Sequence, residues 1–158
     1  MQTIRLETRI AAPALRCFLL SLDMDLHMDT TAQTRERAIA GVTQGQIRLG
    51  ESVTWEGRHF GLRLRHASKI VCYEPPTFFC DEMTKGMFKS FRHEHHFHEA
   101  NGETAMRDVL EFASPFGWVG QATERLVLRG YLYAFLAERN AMIKQVAESN
   151  RWRQYLKE

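Results

Sequence analysis

Cysteine is scarce in this chain: three residues, Cys17, Cys72 and Cys80, at irregular spacing and with no C-x-x-C pair. An odd number so placed argues against a disulfide framework and a zinc knuckle, and the thiols are expected to stay reduced and pack as small hydrophobes. Also missing is any charge-free apolar run of roughly 18 residues, the least that spans a bilayer, so no integral membrane association is expected. Behind the first basic residue, Arg5, there is no apolar stretch of signal-peptide length, which makes a cytoplasmic location the default expectation. Charge of one sign is lacking too: 21 Lys and Arg stand against 19 Asp and Glu, too slight an excess for the clustered basic face that nucleic acid requires. The nearest approach is the tail Arg151-Trp152-Arg153-Gln154-Tyr155-Leu156-Lys157, which reads as a fraying helix end. No nucleic-acid partner and no cofactor is implied.

What remains is an ordinary globular composition, 44% hydrophobic and 25% charged, over 158 residues, which suits one domain spanning 1–158. Ile4, Leu6, Thr8 and Ile10 alternate with Arg5, Glu7 and Arg9, the period of a half-buried strand. Pro13 then opens a short helix carrying Leu15, Phe18, Leu19 and Leu22 at helical spacing, followed by a second short helical or irregular piece through Asp23 to Thr31. From Arg35, glycines at 41, 45, 50, 57 and 61 come too close together for helices between them, and a strand meander is expected. Its strands fall at Glu51 to Phe60, Leu62 to Tyr73, Phe78 to Thr84, Lys89 to Glu99 and Glu103 to Ala113. Ser114-Pro115 offers a cap to a long helix on which Val119, Ala122, Leu126, Leu132, Phe135, Leu136, Met142, Ile143 and Val146 form an apolar stripe. Glu124, Arg125, Glu138, Arg139 and Lys144 fall mostly off that stripe. The class is α+β: a curved antiparallel sheet of about six to seven strands around a long C-terminal helix, with two short helices after the first strand and an apolar pocket between sheet and helix.

Asn101-Gly102 is the strongest hairpin signal. As a two-residue turn it pairs Phe97 with Met106, His95 with Asp108, His93 with Leu110 and Phe91 with Phe112 on one face. The other face pairs His96 with Arg107, Glu94 with Val109 and Arg92 with Glu111, a polar set suited to solvent. A histidine opposite an aspartate among Phe, Leu and Met is costly unless the two bond, so His95 and Asp108 are expected to satisfy each other. The pair reads either as a structural device that fixes register or as a functional imidazole with a raised pKa. His93 and His95 share the inner face while His96 and His98 share the outer one, and two ligands per face are too few for a metal. No metal site is therefore expected, although His59, His66, Asp81 and Asp108 are inward candidates. Trp55 and His59 alternate inward with Val53 and Gly57, as do Leu62, Leu64, His66 and Ile70 on the next strand. Asp81 is expected to point inward with Phe79 and Met83.

Phe79-Cys80-Asp81-Glu82-Met83, Lys85-Gly86-Met87-Phe88, His93-Glu94-His95, the Asn-Gly turn, Thr104-Ala105-Met106-Arg107-Asp108 and Ser114-Pro115-Phe116-Gly117 together resemble the SRPBCC superfamily. That superfamily gathers START lipid-transfer domains, birch-pollen-allergen-like proteins and the polyketide cyclase/dehydrase group. The chain is most similar to its small stand-alone bacterial members, from the first strand to about Ile143. It departs from them at Met83, where a polar residue is frequent, and in its His-rich strand. The resemblance implies a helix-grip fold with a cavity, but members differ in what they bind or catalyse.

The expected function is binding of a small hydrophobic or aromatic molecule, lipid-, quinone- or polyketide-like, with the pocket drawn from Trp55, His59, Asp81, Phe91, His93, His95, Phe97, Met106, Asp108, Leu110 and Phe112. No Ser or Cys stands in a nucleophile context. The alternative is a cyclase, aromatase or dehydratase in which His95, held by Asp108, moves a proton while Asp81 or Tyr73 supplies the acid. A second alternative is a protein-interaction or chaperone-linked module, and a homodimer is left open.

Overall fold

The computed structural model describes residues 1–114 and 127–156. Seven strands, β1 (Gln2–Ile10), β2 (Arg37–Gly41), β3 (Ser52–His59), β4 (Leu62–Glu74), β5 (Phe78–Lys85), β6 (Ser90–Ala100) and β7 (Glu103–Ala113), form one sheet in the order β1-β7-β6-β5-β4-β3-β2. Every neighbouring pair is antiparallel. Helices α1 (Ala14–Ser21) and α2 (Met24–Thr30) follow β1, and helix α3 (Arg129–Ala147) crosses near the end of the chain. The sheet is curved, in keeping with the expected fold class. The helix start at Ser114-Pro115 and the apolar positions Val119, Ala122 and Leu126 lie at or beyond the edge of the described residues; the 19 residues of α3 span about 28 Å.

Local chemistry accounts for the joints. Pro13, extended at ψ 146°, is the residue before α1 rather than its first helical one, and Asp23 caps α2 by accepting from the Leu26 amide at 2.9 Å. Asn101 and Gly102 both take positive φ, 54° and 78°, the backbone of the two-residue turn. The register of β6 on β7 is the one that turn dictates, from Phe91 opposite Phe112 to Ala100 opposite Glu103.

A bulge in β4 at Val71 lets both Ile70 and Tyr73 reach the inner side, since Ile70 faces Asp81 and Tyr73 faces Phe79. Leu62, expected inside, is 60% exposed because it stands at the tip of the β3–β4 hairpin, beyond the helices that cover the sheet. Leu15 is exposed as well, while Ala14, Cys17, Phe18, Leu20 and Ser21 carry the buried face of α1. Phe18 is the hub: its ring meets Tyr73, Phe79 and Phe97 edge-on at centroid distances of 5.3, 5.6 and 5.6 Å.

The tail is docked rather than frayed. Asn150–Gln154 forms a short 3-10 helix, Trp152, Tyr155 and Leu156 pack on the core, and the Tyr155 hydroxyl donates to Asp29 at 2.6 Å. The Arg16 guanidinium stacks over Trp152 at 4.4 Å, so part of the basic character of this end covers an aromatic ring. All three cysteines are free; burial pushes the Cys17 thiol up to about 11 and the Cys80 thiol to about 12, which keeps both protonated and inert. Among the described residues no helix is long and apolar enough to cross a membrane.

Candidate functional site

Between the sheet and α3 lies a cavity of about 460 Å³. Its wall is chiefly apolar, with Ile47 from the β2–β3 connection, Val53, Trp55, Ile70 and Phe79 from β3 to β5, Phe88, Phe91 and Leu110 from the far side, and Leu128, Leu132, Phe135 and Leu136 from the helical side. Two groups of polar side chains interrupt it.

The deeper group centres on Asp108, which is fully buried. The His93 imidazole donates from Nε2 to its Oδ1 at 3.0 Å, and the Asn140 amide of α3 donates to its Oδ2 at 2.6 Å. His95 Nδ1 lies 2.9 Å from the same Oδ1 but off the line a hydrogen bond needs. On its other side, His95 Nε2 is 3.5 Å from Oδ1 of Asp81. The Phe79 ring stacks on His95 at 4.1 Å, which fixes the plane of the imidazole. Arg139, next to Asn140 on α3, is only 6% exposed; its guanidinium reaches the Ser21 carbonyl at 3.3 Å and lines the cavity.

Burial and charge compete at each of these groups. Burial alone would raise the Asp108 carboxyl, but His93 and His95 outweigh it and hold it well below the usual carboxylate range. Asp81 follows the same balance, lowered by His95 against its burial. Burial pushes His95 down, yet Asp108 and Asp81 reverse this and raise it; burial and the neighbouring His95 leave His93 lowered. Burial lowers Arg139. The sequence pattern paired His95 with Asp108; the two are opposed and 2.9 Å apart, but the aligned hydrogen bond to Asp108 comes from His93.

The second group is less deeply buried. Glu36, just before β2, receives Nε2 of His27 at 2.9 Å and has Nε2 of His59 at 3.2 Å. The Tyr131 hydroxyl of α3 donates to Nδ1 of His59 at 2.6 Å. Trp55 stacks on His27 at 4.0 Å. Burial would raise Glu36, but the hydrogen bonds from the two histidines hold it down to about 2.

Of the residues expected to form the pocket, Trp55, His59, Asp81, Phe91, His93, His95 and Leu110 line the cavity. Phe97, Met106, Asp108 and Phe112 do not. They share the predicted inner face, but α1 covers part of it: Phe97 packs on Phe18, and Met106 receives the Ser21 hydroxyl at 3.6 Å. Phe112 is closed off by Phe88 in a smaller cluster with Ile4, Leu110 and Leu136, and Asp108 sits behind the two histidines. Tyr73 likewise packs on Phe18 and supplies no group to the cavity. His96, 44% exposed on the outer face, bonds Glu94. Sequence reasoning missed His27, Glu36, Tyr131, Arg139 and Asn140. For the last two a signal was present, since residues three and four beyond Leu136 fall on its face of a helix.

No family model and no curated protein matches the sequence. Solved structures do. TTHA0849 from Thermus thermophilus superposes with a TM-score of 0.72 at 14% identity, covering 94% of this chain and 100% of that one. Major latex-like protein 151 from Panax ginseng gives 0.70 at 14% identity over 94% and 98% of the two chains. A START superfamily protein from Mycobacterium smegmatis gives 0.69 at 10% identity over 91% and 98%. The seven-stranded antiparallel sheet, the two short helices and the helix across its mouth are thus a known arrangement: the described residues have the helix-grip fold.

Proposed function

We propose that the protein binds one small, largely apolar molecule, of lipid, quinone or polyketide-like character, in the cavity between sheet and α3. The observation that carries this reading is the cavity itself: about 460 Å³, within the range of roughly 300–1,000 Å³ typical of small-molecule sites, and walled mainly by apolar side chains. Such a wall gains free energy by replacing water with an apolar body, while the few polar groups fix orientation. Those groups are His59 and Tyr131 on one side and His93, His95, Asp81 and Arg139 on the other, so the ligand has polar atoms at an end or at both ends.

Native mass spectrometry of the purified protein tests this. The expected spectrum shows one small-molecule adduct per chain that is lost on activation, or its formation on adding palmitic acid, decylubiquinone or a flavonoid. A bare chain that takes up none of the three overturns the reading.

A further inference from the structure

The deep polar group has the makings of something other than a ligand's hydrogen-bonding end. Asp81 on β5 stands directly across from His93 on β6, and His95 lies two residues further along β6, which puts both imidazoles on the cavity side. The two rings are 3.8 Å apart between centroids. One ligand atom from each of the three residues lies within 4.8 Å of the others. The spacing of 3.5 Å between His95 Nε2 and Asp81 Oδ1 is close to the edge of a tetrahedron whose metal–ligand bonds are about 2.0–2.1 Å, an edge of about 3.4 Å.

What stands behind these residues strengthens the case. Oδ1 of Asp108 lies 3.0 Å from Nε2 of His93 and 2.9 Å from Nδ1 of His95, so each ring turns one nitrogen toward it. The other carboxylate oxygen is held by Asn140 at 2.6 Å. A buried carboxylate that orients the imidazoles from behind, itself fixed by a further hydrogen bond, is the support that metal-ligating histidines regularly have.

We propose that Asp81, His93 and His95 form a binding site for a divalent first-row transition-metal ion, with Asp108 and Asn140 as its supports. Two nitrogens and one oxygen select zinc or ferrous iron over calcium and magnesium, which take oxygen ligands. Three protein ligands leave at least one coordination position, and the cavity is on that side, so a water or a ligand oxygen completes the site. The site stands independently of the proposed organic ligand, because metal binding needs no second molecule.

The test is equilibrium dialysis of tag-free, chelator-stripped protein against Zn²⁺, with metal content measured by atomic emission. One zinc per chain is expected. Asp81→Asn and His93→Ala should weaken binding by about 100-fold or more, and Asp108→Asn by about 10–100-fold. His96→Ala and His98→Ala, on the outer face, should leave it unchanged. Because a pocket variant can fail to fold, the native chain is also followed by NMR: Zn²⁺ should shift the ring resonances of His93 and His95 ahead of those of the other histidines. No retained zinc, retention indifferent to Asp81→Asn in folded protein, loss through His96 or His98, or shifts confined to other histidines overturns the proposal.

Discussion

Asn140 of α3 donates its side-chain amide to Oδ2 of Asp108 on β7 at 2.6 Å, a bond wholly enclosed between helix and sheet. Because Asp108 also takes His93 on its other oxygen, this one bond joins the helix to the wall that carries the polar centre.

Removing it strands a buried carboxylate oxygen. Asn140→Ala is expected to lower the stability of the fold by about 1–3 kcal/mol, the cost of leaving a buried polar group without its partner. Urea unfolding measures this, and an unchanged midpoint would show that Asp108 does not depend on the helix.

Glu36 gives the fold a pH dependence with a defined sign. Its carboxyl is held at about 2 in the folded state, below its ordinary 4.5, by His27 and His59 against the cost of burial. A group lowered in this way contributes stability that is fully present above pH 4.5 and is lost as pH falls through 2. The stability difference between the native chain and Glu36→Gln should therefore be constant above pH 4.5 and shrink below it. Denaturant unfolding of both proteins across this range measures the difference; a gap that widens toward acid contradicts the assignment.

Phe18 holds α1 to the sheet through three aromatic edges and has no solvent exposure. Phe18→Ala should cost about 3–5 kcal/mol, the range for emptying a large aromatic site. Thermal and urea unfolding should agree on a loss of that size. A loss below about 1 kcal/mol would mean that the cluster collapses around the gap.

Much of this architecture was legible because the signals were local. The Asn101-Gly102 turn dictated ten cross-strand pairs down to Phe112, and alternation within β1 placed Ile4 and Ile10 inside. Asp81 came out inward, as expected, because it pairs with Ile70 ahead of the bulge in β4. Residues whose role depends on what is stacked above them were not legible. Phe97 and Met106 share a face with His95, yet only the position of α1 decides that they are core and not cavity wall. Arg139 reads as polar and off the stripe, although the helical period from Leu136 carries it and Asn140 inward. Glu36 meets His27 and His59 across sequence separations of 9 and 23 residues, which no periodicity encodes.

Entry of an apolar molecule into the cavity is measured by fluorescence titration with 1-anilinonaphthalene-8-sulfonate, comparing the native chain with Leu132→Trp, which places a larger side chain on the cavity wall. Saturable binding of one probe per native chain is expected, with affinity weakened by about tenfold or more in the variant, a loss of roughly 1.4 kcal/mol. Absence of saturable binding, or equal affinity in both folded proteins, would contradict it.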